Sequence, residues 1–380
     1  MGKEPEYQSE YKGGQAASSD EDIVARGIEA YRPMGKEEQV VTILRGPFDP
    51  GGQPELETDN KLILGLYAWN VSGGANLTKA VSLDREKFRD YWSWPNSLRL
   101  IKESERIGLE FALPLDRWIG FGGEEGYGEN TLDPWVSACA LALHTSRMLL
   151  MSAVNVGAHL HPLHVSRLGA NFDHVGNGRW ALNVIPGWSP AEAGFFGLES
   201  MEHNLRHELA DEFVTLIKHA WSMHAPFEFE GKFFHSKHVL VAGPYPTRRP
   251  RPFFLSGAYF DEGIDFAAKQ CDWLICRSPS GELADLKNTA AKAKKLATQK
   301  YNRYLKSVAP VYCVMAASER AAQEEFDLLC SEIDDEAVEN FVREFSDQPG
   351  EFEGVLPASR TVAQNNGSMK EAMGDEAYRR

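Results

Sequence analysis

A glycine turn, a short apolar strand and a polar, aromatic loop follow one another in GRWALNVIPGW, Gly178–Trp188. The amide of Asn183, near the carboxyl end of that strand, can meet the edge of a planar ring or satisfy nearby loop backbone. Trp188, after the flexible Gly187, can stack on such a ring or pack beside it. Arg206 opens a later helix, where its planar fork of donors suits a phosphate. On a face shared with Glu202 and Glu208 it could equally be a solvated helix residue. Asp116 and Arg117 follow the strand LEFALPL directly, either to contact a ligand or to pair with each other. In AHLHPLH, strand alternation would place His159 and His161 on one face, where an HxH pair can ligate zinc. No HxxE or Cys partner accompanies them or His164, so no metal is expected. His159, at a strand terminus, is instead the candidate proton donor or acceptor.

The elements that must position these groups alternate short apolar strands with amphipathic helices from Lys61 onward. Strands are expected to start near Leu62, Leu109, Met148, Ala181, Phe253, Asp272 and Ala309. Between them the pattern predicts helices over 96–107, 134–144 (Pro134 in its first position, after Thr131 or Asp133 as N-cap), 161–176, 203–221, 261–268 and 282–304. A last helix is expected over 319–345. FEFEGKFF reads as a hairpin turning at its Glu-Gly pair, an excursion from the αβ rhythm. The expected fold is a TIM-type (β/α)8 barrel, with site residues at the carboxyl ends of its strands. Seven parallel strands are recognisable, so the barrel is incomplete at its C-terminal end. Residues 1–60 read as a polar, disordered tail, 61–345 as the barrel domain and 346–380 as an irregular C-terminal tail. An unclosed barrel exposes strand edges, which calls for a compensating segment, a partner subunit or lower stability.

A chain of 380 residues, 43% hydrophobic and 11% aromatic, can bury a large core. A net charge of −15 argues against nucleic acid and anionic membranes as partners and leaves small molecules as ligands. No apolar run approaches a membrane span and MGKEPEYQSEYKGG lacks a secretory signal, so a cytoplasmic location is expected. The five cysteines, scattered without CxxC spacing, read as reduced core thiols.

GRWALNVIPGWSPAE, together with ALPLDRWIGFGG and LRHELADEF, resembles the bacterial-luciferase-like, flavin-dependent monooxygenases. The nearest subgroups are the alkanesulfonate, dimethyl sulfone and pyrimidine monooxygenases. The likeness runs from about Leu62 to about Ala317 in ordered blocks. It implies a two-component enzyme that takes reduced FMN from a separate NAD(P)H:flavin reductase and oxygenates a small organic substrate with O2 through a C4a-peroxyflavin. It further implies a homodimer and no metal. No GxGxxG follows the first strand, which agrees with borrowed reduced flavin.

By the same resemblance Asn183 meets the flavin ring, and His159 acts near it. Glu192 borders the flavin, while Asp116 and Arg117 contact flavin and substrate. Trp69, Asn70, Ser72, Trp118 and Trp188 belong to the substrate pocket. Arg206 matches the arginine of RRYxxLxEF, with His207 in the place of its tyrosine, and grips the phosphate. The phosphate signature AGxSxxG is altered to SGAYFDEG, in which Gly257 and Gly263 frame the loop and Tyr259 or Phe260 replaces the serine. Two other readings stay open. One is a catalytically silent or partner-subunit paralogue with weakened flavin binding; the other is a deazaflavin-dependent dehydrogenase on the same barrel.

Overall fold

The computed structural model describes residues 41–42, 49, 52–74, 76–82, 91–157, 160–187, 189–199, 201–258, 260–276 and 283–346. Ten strands are present among them: β1 (Val41–Thr42), β2 (Gly65–Tyr67), β3 (Phe111–Leu113), β4 (Leu149–Asn155), β5 (Trp180–Ile185), β6 (Phe227–Glu230), β7 (His235–Val239), β8 (Phe253–Ala258), β9 (Trp273–Cys276) and β10 (Lys306–Val308). The helices are α1 (Trp94–Arg106), α2 (Pro134–Ala142), α3 (Pro162–Val175), α4 (Pro190–Phe195), α5 (His203–Ser222), α6 (Asp261–Gln270), α7 (Leu283–Tyr301), α8 (Glu319–Ser331) and α9 (Asp335–Ser346).

Seven strands form one parallel sheet in the order β2-β3-β4-β5-β8-β9-β10, curled into an open barrel with helices outside. A parallel strand covered on both faces reads as a continuous apolar run, and β4 is buried along its whole length. Phe111, Leu149, Met151, Phe253, Leu255 and Trp273 fill the inside of the curl. Met148, Leu150, Leu182, Phe254 and Leu274 pack outward against helices that include α5. The side chain of Glu105, at the end of α1, accepts the N–H groups of Ser146, Arg147 and Met148 at 2.9, 2.7 and 2.9 Å, which fixes the entry to β4.

Short-range signals place their elements as expected. Asp133 caps α2 by accepting from Trp135 N and Val136 N, and His161 caps α3 through Nδ1, 3.2 Å from the Leu163 nitrogen. Gly169 of α3 lies flat against Trp180 of β5, so that a Cβ there would stand 2.1 Å from the indole. Gly169→Ala should therefore overpack the helix–strand contact. Its cost of about 1–3 kcal/mol outweighs a helix-propensity gain of about 1 kcal/mol at most, and urea unfolding would register the loss.

Several expectations are corrected. The last strand is Lys306–Val308, and Ala309–Met315 forms no strand. Pro310 has no N–H to give, no eighth strand stands beside β10 among the described residues, and Val311, Tyr312 and Met315 are exposed. The expected final helix is two, α8 and α9, parted where Ile333 bridges to Thr78. The hairpin turns over 231–234, with Gly231 N donating to Phe234 O, so its second strand begins at His235. Cys313 is exposed where a core thiol was expected.

The stretch read as a tail makes specific contacts near its end. Val41–Thr42 pairs in parallel with β6, and Asp49 accepts from Arg251, Arg303 and the fully buried Lys218. Arg251 and Arg303 also meet Asp272, at 2.7 and 3.4 Å, beneath the amino ends of β8 to β10. Between the edges β2 and β10 lies a groove of about 1410 Å³ lined by Leu62, Leu64, Phe111, Trp273 and Val308. No helix among the described residues is long and apolar enough to cross a membrane.

Candidate active site

The loops leaving the carboxyl ends of β2, β3 and β5 meet at one mouth, held together largely by side-chain bonds to backbone. Asn70 donates to Leu115 O and Leu132 O and accepts from Leu115 N, each at 2.8 Å. Ser72 donates to Gly126 O and accepts from Asn130 N. The glycine-rich loop after β3 then docks on the start of α9. Gly123, at φ 76°, accepts no Cβ, because Asp334 Oδ2 would stand 2.7 Å from it. Asp334 takes the Glu124 N–H, and Asn340 of α9 donates to Phe121 O at 2.7 Å.

Arg117 turns away from Asp116. Its Nη2 lies 3.3 Å from Glu344 Oε2 on α9, its Nε donates to Ile119 O, and its guanidinium sits 3.8 Å over the Phe121 ring. Glu192, 1% exposed in α4, accepts the Trp118 N–H at 3.1 Å, so it ties the loop after β5 to the loop after β3. Burial pushes the Glu192 and Glu344 carboxyls above the usual range. Asp116 stands among like charges. Burial, with Glu192 and Asp133 close by, raises its carboxyl to about 7, which leaves it half protonated near neutral pH. Trp118 is exposed at the mouth, edge-on to Phe196 at 5.1 Å.

Asn183 lies within β5, between Ala153 of β4 and Leu255 of β8. Its Oδ1 is buried and has no hydrogen-bond partner, an acceptor left for something other than protein.

On the far side of the mouth Arg206 is buried, so it is no solvated helix residue. Its Nη1 donates to Gly187 O and its Nη2 stands 3.4 Å from His203 Nδ1. His203 Nε2 in turn faces Glu262 Oε2 of α6 at 3.6 Å. His207 packs against Gly263, where a Cβ would lie 3.2 Å from the ring. Burial, with His203 and Arg206 beside it, lowers His207 to about 3, so this imidazole is neutral at working pH. Gly257 is an exposed position of β8, paired with Ile275.

The structure thus brings Asp116, Arg117, Trp118 and Glu192 together, and it joins Arg206 to the loop after β5. It places Trp69 wholly inside the sheet–helix core and commits the Asn70 amide to backbone, so both are seen packing and bracing loops. His161 serves as a helix cap with its ring edge on Phe234. His159, Trp188 and Tyr259 lie outside the described residues. Sequence reasoning missed Glu344, Asn340 and Asp334. Their one signal was the amphipathic pattern of α9, which marks a packed helix and not what it packs on.

A family model described as luciferase-like monooxygenase matches residues 72–377. The FMNH(2)-dependent dimethylsulfone monooxygenase of Pseudomonas putida is 28% identical over 214 residues, 56% of this chain and 55% of that one. A pyrimidine monooxygenase of Yersinia enterocolitica is 28% identical over 179 residues, 47% of each chain. The chain spans about half the length of the curated relatives it matches. Among solved structures, a riboflavin lyase with modified FMN and riboflavin superposes with a TM-score of 0.69 at 18% identity, covering 84% of this chain and 79% of that one. This last likeness is one of fold.

Proposed function

The chain belongs to the luciferase-like monooxygenase family, and on that premise we propose that it is a two-component, flavin-dependent monooxygenase of small organic molecules. In this reading a separate NAD(P)H:flavin reductase supplies reduced FMN, and the substrate is a sulfonate, a sulfone or a pyrimidine-like ring, the class suggested by what its relatives are named for. A homodimer is part of the same proposal.

The observation that carries it is the buried, unpartnered Oδ1 of Asn183 at the mouth. A flavin ring offers an N–H to such an acceptor, and the ring end of the site fits it. When bound, reduced flavin supplies the two electrons that let one oxygen atom enter the substrate and the other leave as water. The protein's own groups do the remainder. Asn183 orients the ring, Asp116 holds a transferable proton near neutral pH, and Trp118, with Trp188, walls the pocket. Arg117 and Glu344 hold α9 against the loop after β3 and so keep water out of the mouth. His159 is proposed as a second proton carrier.

Anaerobic titration with dithionite-reduced FMN, then addition of labelled dioxygen with an alkanesulfonate, dimethyl sulfone or uracil, tests the reading. The expected result is saturable binding of the reduced form and one labelled oxygen in the product. Folded protein that binds neither redox form would instead be a silent subunit. Hydride transfer to deazaflavin without oxygen uptake would identify the dehydrogenase.

A further inference from the structure

The inward face of the curl is apolar as far as Met151 and Leu255, and toward the mouth it then carries two carboxamides. Alternation from the inward Met151 turns Asn155 of β4 inward, and alternation from the outward Leu182 turns Asn183 of β5 inward. Asn155 is 6% exposed and Asn183 9%. Register sets Asn155 beside Ile185 and Asn183 beside Ala153. The two positions therefore lie one strand and one pleat apart, about 8 Å between Cα atoms. The Asn155 Oδ1 lies against the loop after β5, where a Cβ on Gly187 would stand 3.4 Å from it.

Neither amide is hydrogen-bonded to another described residue, which sets them apart from Asn70 and Asn340, whose amides brace loops. A buried amide without partners gives up its bonds to water for nothing, and one such group is uncommon in a fold. Two on neighbouring strands, facing one space, mark a place built for a polar ligand. Both are uncharged, and each offers an acceptor and two N–H donors. Their match is an uncharged planar edge that alternates carbonyl and N–H, as an imide does.

We propose that Asn155 is a second ligand-binding residue, which with Asn183 holds the imide edge of a bound heterocycle. The inference deepens the flavin reading above and rests on it, since Asn183 is there given to the ring. Flavin carries such an edge and so does a pyrimidine-like substrate, whereas a sulfone or sulfonate carries none. Asn183 Oδ1 accepts the imide N–H, and Asn155 donates to the adjoining carbonyl.

Native protein, Asn155→Val and Asn155→Ala are titrated anaerobically with dithionite-reduced FMN, and the reduced complexes with uracil and with dimethyl sulfone, with urea unfolding in parallel. Removing an unpartnered amide is expected to leave stability at or above the native level, and to weaken one imide ligand by about ten-fold. Where that ligand is FMN, a carbonyl carbon-13 resonance of the labelled flavin moves upfield in the variants, and the edge held is the flavin's. Where it is uracil, with FMN and dimethyl sulfone within about two-fold of native, the edge is the substrate's. Affinities for FMN and uracil both within about two-fold of native overturn the proposal. FMN weakened with its carbonyl resonances unmoved, or dimethyl sulfone weakened as much as uracil, overturns it too. Loss of stability in both variants assigns Asn155 a bracing role and does the same. Folded native protein that binds no reduced FMN overturns the flavin reading itself, an outcome distinct from all of these.

Discussion

Replacing Asp116 with Asn should cost activity and add stability, a combination that marks a group held in place for chemistry. With its carboxyl at about 7, Asp116 exchanges a proton in the working range, and an amide of the same shape cannot. We expect oxygenation kcat/KM to fall by about 10²-fold, and the ionisation near pH 7 to vanish from its pH profile. The stability effect has a definite sign. A carboxyl raised from 3.8 binds its proton more tightly in the native state than in the unfolded chain, so native stability falls as pH rises through the window from 3.8 to about 7. Above that window the native site carries the cost of burying the Asp116 charge, added to by its repulsion from Glu192 and Asp133, and Asn removes both. The variant should therefore exceed native protein at pH 8 by about 1–2 kcal/mol, after allowance for solvent screening, with the gap closing below about pH 4. Urea unfolding at the two pH values measures it. An unchanged profile would remove Asp116 from the chemistry.

The largest stability loss is expected at the other end of the barrel. Asp272, almost wholly buried, accepts from Arg251 at 2.7 and 3.0 Å, from Phe254 N at 3.0 Å and from Gln53 at 2.9 Å. Asp272→Ala leaves Arg251 and Arg303 with Asp49 as their one remaining carboxylate among the described residues, beside the fully buried Lys218. Removing one partner from a buried ionic group costs about 3–5 kcal/mol, because the charges left behind stay out of water. Chemical denaturation should show that loss. Reduced-flavin affinity of the protein that remains folded should be unchanged, since Asp272 lies at the amino ends of the strands. A loss below about 1 kcal/mol would show that the cluster is solvated rather than buried.

What the sequence by itself determined was set by signals a few residues long. Alternating apolar strands and amphipathic helices specify a parallel barrel, and six of its seven strands were legible, the last being placed at Ala309 where the structure has Lys306–Val308. Pro134 after Asp133 and the run WALNVI define their elements whatever surrounds them. The place of Asn183 within the apolar strand was readable from the same run.

Tertiary structure decided everything that depends on a neighbour distant in the chain. Ala309–Met315 has the apolar composition of a strand, but a parallel strand needs cover on both sides and Lys306–Val308 is an edge. Trp69 and Asn70 sit where a pocket was expected, yet one fills the core and the other braces loops. Arg117 takes Glu344 as its partner rather than the adjacent Asp116, across 227 positions. Arg206, which could have lain in solvent beside Glu202 and Glu208, is buried in a chain of contacts ending at Glu262. Local periodicity fixes which face of an element is apolar. Pair energies between charges depend on distance and burial, which exist only once the elements have packed.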